Sequence, residues 1–268
     1  APKVDGDAII AAALAHRKAG RFDQAFKALK GLVETDAINA RAHHELAALY
    51  AVHGQLGDAA RHFQIVLLLE PGRAMSRRNL AEVLRADGRH AAALPHYVAL
   101  EAQPESRLAA LRGTALCYEA LGQLDAARKP LQALAKEFGG DPNGRWAAGH
   151  LDALVEQQRQ GNVAPAVADR EGKRLFDEGR HAAAEAWFGF AFRAQASGDR
   201  AFRLAMARLA LRDYLGAVAA LQTALQLTPG HKPAMSVYPT AVRKLRSVGE
   251  GGRDVALADE TQGTPMRR

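Results

Sequence analysis

The sequence predicts an all-α solenoid of about six helix–turn–helix repeats arranged in two blocks. Two regularities carry this reading. Gly20, Gly54, Gly88 and Gly122 recur every 34 residues, and Ala25, Ala59, Ala93 and Ala127 each follow five residues later. No strand-like alternation lies inside the period. Each copy is therefore a pair of antiparallel helices that buries its apolar side by stacking on its neighbours. Composition is the third observation. Hydrophobic residues make up 48% of the 268 and aromatics only 6%, which suits thin alanine-rich layers better than one deep core.

The elements follow in order. Residues 1–5 form a short extension. With the glycine numbered 15, four copies begin at Gly6, Ala40, Ala74 and Leu108 and fill 6–141. Position 8 is alanine in all four (Ala13, Ala47, Ala81, Ala115), and so is position 20. Two helices approach closely only where both offer a small side chain. Positions 24 (Leu29, Phe63, Tyr97, Leu131) and 27 (Leu32, Val66, Leu100, Leu134) supply bulk beside that crossing. The register breaks over 142–164, where Trp146, His150, Ala153, Leu154 and Gln157 still keep helical spacing. This stretch is expected to be a seam between the blocks. Two further copies fill 165–231. The first carries Gly172, Leu175, Gly179, Ala184, Phe188 and Ala191, with Glu171 in a leucine slot. The second carries Ala205, Ala217, Leu221, Ala224 and Pro229, with Arg212 in the place of the turn glycine and Arg208 in an aromatic slot. A capping helix is expected over 232–248, starting late or kinked at Pro239. Residues 249–268 are expected to be disordered.

These positions resemble the tetratricopeptide repeat family. The second copy is most similar, with Leu46, Ala47, Tyr50, Gly54, Ala59, Phe63 and Pro71, and the fourth adds Tyr118. The resemblance implies a superhelix whose first helices line a concave groove, and a scaffold or adaptor that holds a segment of another protein there. It places Arg41, His44, Glu45, Arg78, Asn79, Glu82, Arg85, Arg112 and Glu119 of the first block on that face, and Arg170, Lys173 and Arg203 of the second. His44, Arg78 and Arg112 share one slot in consecutive copies. Arg78, Glu82 and Arg85 lie along one helix stripe. Such a column suits a peptide with acidic side chains. Of the pattern by which chaperone-binding members grip a C-terminal carboxylate, only Asn79 is matched, so that ligand is not expected.

Charge points the same way. The chain carries 36 basic and 29 acidic side chains, and residues 142–248 hold 15 basic against 9 acidic. An anionic partner of this second block, whether an acidic protein or a lipid headgroup, is one alternative. Nucleic acid, the third such anion, is disfavoured because the aromatics beside the cations, Phe176 and Phe202, sit where core packing explains them. Self-association or docking into a larger assembly is the other alternative.

Little supports catalysis. Metalloprotease, phosphate-loop and dinucleotide fingerprints are absent. The single Cys117 leaves no internal disulfide and no multi-cysteine metal site. His43 and His44 are adjacent, about 100° apart on a helix, and poorly placed to share a metal. No enzyme, metal or cofactor is expected. No stretch is long enough to span a membrane. The chain begins Ala1-Pro2-Lys3 without methionine, which leaves cytoplasm and bacterial periplasm both open.

Overall fold

The computed structural model of the chain describes residues 5–161 and 163–251. These residues form fourteen helices and no strand. The first four pairs are α1 (Gly6–Lys18) with α2 (Phe22–Thr35), α3 (Ala40–Val52) with α4 (Leu56–Leu69), α5 (Ala74–Ala86) with α6 (His90–Leu100), and α7 (Pro104–Ala120) with α8 (Leu124–Glu137). Then come α9 (Pro142–Gln160), α10 (Pro165–Asp177), α11 (His181–Ala194), α12 (Gly198–Ala210), α13 (Tyr214–Leu227) and α14 (Lys232–Gly251).

The alanine and bulky slots behave as their spacing predicts. Ala25, Ala47, Ala59, Ala81, Ala93, Ala115 and Ala127 are fully enclosed, and Phe63, Tyr97, Leu131, Val66, Leu100 and Leu134 fill the space beside them. α7 starts four residues before Leu108 because Pro104 is a favourable first helical residue. α14 begins at Lys232 and runs through Pro239 without a break, so the expected late start does not occur. Asp5 caps α1 by accepting a hydrogen bond from the Ala8 amide at 3.2 Å. Residues 1–4 of the expected extension and 252–268 of the expected disordered tail lie outside the described residues.

The turn slot is filled in a left-handed conformation every time. Gly20, Gly54, Gly88, Gly122 and Gly179 have φ between 71° and 76°, and Arg212 takes the same slot at φ 59°. A side chain there is strained by roughly 1 kcal/mol. Arg212→Gly is therefore expected to raise stability by about 0.5–1 kcal/mol, part of the gain being offset by the freer unfolded chain. Urea unfolding that shows no gain, or a loss, would mean that Arg212 makes compensating interactions.

The stacking changes at the register break. In the first block each first helix packs on the next, as α1 on α3, α3 on α5 and α5 on α7. α9 instead packs on α8 and α11, while α10 pairs with α11. The second block then curls back on the first, with α13 against α5 and α14 against α3. One core consequently runs from Ile10, Leu46 and Phe63 to Leu215, Leu221 and Leu245. The turn of the second repeat is part of the closure, since a Cβ at Gly54 would lie 2.7 Å from the Gln222 Nε2 of α13. α3 records the consequence. From Ala42 to Val52 every residue but Glu45 is buried, whereas an open solenoid would leave its inner face to solvent.

Candidate functional site

Closure redistributes the residues expected to line a groove. Arg41, Arg170 and Lys173 are exposed, while Glu45, Arg78 and Arg203 are half-buried. Arg41 donates to Asp7 at 2.7 Å, Arg17 donates to Glu45 at 3.3 Å, and Arg203 pairs with Asp169 at 2.9 Å. The other six are buried, which corrects the expectation of a solvated column. His44 lies 2.8 Å from the Ser76 hydroxyl with its ring edge-on to Phe63. Its neighbour His43 turns the other way, to within 2.8 Å of His62. Asn79 is fully enclosed. The physical reason is the occupant of the concave side, since α13 and α9 cover the faces of α5 and α7 that an open superhelix would present to a ligand.

The buried charges are tied in pairs across that covering. Arg85 donates to Glu82 on its own helix at 2.9 and 3.1 Å, and to Asp213 at 3.2 and 3.3 Å. Asp213 stands at the start of α13 and also caps it through the Gly216 amide at 2.9 Å. Burial alone would push this carboxyl up, but Arg85 and Arg208 hold it below the usual range. Arg112 lies over the Trp146 ring, 4.6 Å from its centroid. On α9, His150 donates through Nδ1 to Glu119 at 2.9 Å, and its Nε2 is 3.5 Å from Glu185. Glu185 also accepts from Trp146 at 3.3 Å and from Arg208 at 3.2 Å. Burial disfavours the imidazolium, yet Glu119 and Glu185 outweigh it and raise the His150 pKa to about 9.

These groups line a chamber of about 280 Å³ that opens to solvent between α5, α7, α11, α12 and α13. Its wall includes Arg85, His90, Glu119, His150, Glu185, Arg193 and Arg208, with Leu56, Leu116, Phe192 and Leu204 between them. His90 is held neutral, its pKa lowered to about 4 by burial and by Arg85, Arg208 and Arg193. Glu185 and Arg193 carried no sign in the sequence of their place here. Arg208 did, since a cation in an aromatic slot needs a buried counter-charge.

Among the described residues no three His, Cys, Asp or Glu side chains group as a metal site. Cys117 is buried, its thiol pushed up to about 12 by burial. No helix among the described residues is long and apolar enough to cross a membrane.

A family model described as tetratricopeptide repeat matches residues 10–67, 44–107 and 79–142. Among curated proteins none matches the chain in sequence. A tetratricopeptide repeat protein from Parabacteroides merdae ATCC 43184 superposes with a TM-score of 0.55 at 14% identity, covering 88% of this chain and 98% of that one. MamA 41-end from Desulfovibrio magneticus RS-1 gives 0.46 at 16% identity over 73% and 97% of the two chains. Pseudomonas aeruginosa pilF gives 0.42 at 16% over 88% and 97%. At these identities the likeness concerns the fold alone, and the last two, below 0.5, carry no argument.

Proposed function

Because the chain belongs to the tetratricopeptide repeat family, we propose that it is a non-catalytic adaptor that holds a segment of another protein. Proteins of this fold generally mediate protein–protein and peptide interactions. The finer reading concerns where the segment sits and what it carries. α13 and α14 already cover α5 and α3, so the partner surface moves to the second block. The observation that supports it is an exposed stripe on α10, made of Val167, Arg170 and Lys173. Neither cation has an ion-pair partner among the described residues. The half-buried Arg203 of α12, anchored on Asp169, adds a third positive charge from the second block. A stripe that pairs an apolar side chain with uncommitted cations suits an acidic segment with one hydrophobic anchor.

Panning a displayed peptide library on the full chain tests this reading. Enriched peptides should be rich in Asp and Glu. Their affinity by fluorescence anisotropy should fall at least about tenfold for the double variant Arg170→Glu, Lys173→Glu, and fall for wild type as salt rises. Undiminished affinity of the variant would remove α10 from the site. Failure to enrich any peptide would count against the adaptor itself.

A further inference from the structure

The positions that bury each first helix against the layer before it are uncovered on α1. Positions 3, 7 and 10 of the repeat hold Ala42, Leu46 and Leu49 on α3, and Ser76, Leu80 and Val83 on α5. All six are buried, and the matching residues of α7 are buried as well. On α1 the same positions hold Ala8, Ala12 and Ala15, and all three are exposed, as is Ala11 beside them. Ile9 and Leu14, both half-buried, flank this face on either side. No polar residue stands between Asp7 and His16. A solenoid end that faces water is expected to be polar, and this chain shows that solution elsewhere. α10 also opens a block, and its positions 7 and 10 hold Glu171 and Arg174, which form an ion pair. α1 has no such cap. Its alanines stand where α3 and α5 carry leucine or valine, so another helix has room to approach closely.

The charge pattern of α1 selects the occupant. Read outward from the midpoint between Ala11 and Ala12, the exposed face maps onto itself in reverse. Ala11 falls on Ala12, Ala8 on Ala15, and Asp5 on Lys18. The flanks obey the same rule, with Ile9 on Leu14 and Asp7 on His16. Two copies of α1 related by a two-fold axis run antiparallel and bring such residues face to face, because one patch serves both sides. Alanine then meets alanine along the centre, and each end sets an acid of one copy against a lysine of the other. Both charges are available. Lys18 has no ion pair among the described residues, and Asp5 uses one carboxylate oxygen to cap its own helix. We propose that the outer face of α1 is a self-association surface, on which a second copy of the chain docks antiparallel through its own α1. The contact is one helix pair about 20 Å long, small for a specific interface, so the dimer should be weak, with a Kd of about 10–100 µM. This surface is separate from α10 and does not depend on the adaptor reading.

The experiment is sedimentation velocity of the full chain, from well below that Kd to tenfold above it. The wild type should pass from monomer to dimer, and added salt should weaken the dimer. Ala12→Glu puts a charge at the centre of the face. It should melt as the wild type does, since Ala12 is exposed, and dimerise at least tenfold more weakly. Asp5→Lys and Lys18→Asp test the register. Each variant alone sets like charges against one another at both ends and should also dimerise at least tenfold more weakly. Mixed in equal amounts, the two should form a heterodimer, because each end again holds an acid against a lysine. The proposal fails if the wild type stays monomeric, if Ala12→Glu leaves the dimer intact, or if the mixture associates no better than its components. A monomeric chain whose α1 amides exchange slowly at every concentration also overturns it, in favour of another segment of the same chain.

Discussion

Arg85→Met should destabilise the folded chain by about 4 kcal/mol. The methionine preserves most of the aliphatic volume, so the change is electrostatic rather than a cavity. It leaves Glu82 and Asp213 facing one another with side chains only 5% and 7% exposed. Removing one partner of a buried pair typically costs about 3–5 kcal/mol because the remaining charge is uncompensated. The damage should be regional as well as global. Arg85 is on α5 and Asp213 opens α13, so the pair joins the second block to the first across 128 residues of chain. Amide exchange should quicken in α13 and α14 before it does in α7 and α8. The triple variant Arg85→Met, Glu82→Gln, Asp213→Asn should recover most of the loss, because all three charges of the cluster are removed together and neither carboxylate is left without its cation. It also keeps a side-chain oxygen to cap α13. Denaturant midpoints within about 1 kcal/mol of wild type for the single variant would mean that closure rests on apolar packing alone.

The fold was legible because a repeat protein writes the same local instruction many times. A small residue at a helix crossing and a left-handed turn residue are demands of one hairpin, and both can be read within 34 residues. Even Arg212 fits, since the slot imposes its conformation on whichever residue occupies it. The site was not legible, and the reason is also physical. Whether Arg85 meets water or Asp213 depends on how small rotations between successive layers add up, and no local pattern records that sum. The register break at 142–164 was visible. Its consequence, α9 packing on α11 and the second block returning onto α3 and α5, was not. Glu82, Arg85, Arg112 and Glu119 were assigned to a solvated face because a charged residue on the inner side of a first helix has that role in an open superhelix. Here the same residues are buried counter-charges. The exposed candidates Arg170 and Lys173 are on α10, which was flagged in the sequence by Glu171 in a leucine slot.

Stability should fall as pH rises from 6 to 9.5, through His150. The imidazole is fully enclosed on α9, with Glu119 of α7 and Glu185 of α11 on its two nitrogens and the Trp146 ring 4.1 Å away. Arg208 and Arg112 stand behind those carboxylates and act on Glu185 as well. The balance favours the imidazolium, with a pKa of about 9 in the folded chain against about 6.5 unfolded. A folded-state pKa above the unfolded one gives stabilisation that is complete below pH 6.5 and is lost as pH climbs through 9. At about 1.4 kcal/mol per unit this amounts to about 3 kcal/mol. His150→Gln removes the titration while keeping a polar side chain between the acids. The difference in unfolding free energy between wild type and His150→Gln should therefore shrink by about 3 kcal/mol from pH 6 to pH 9.5. Subtracting the variant cancels the lysines and tyrosines that titrate in both proteins. The imidazole resonance of His150 should still report the protonated form at pH 8, when exposed histidines are neutral. A difference that stays flat across this range would show that the carboxylates do not hold the proton. The joint between α7, α9 and α11 would then owe its stability to Trp146, Ala147 and their apolar neighbours.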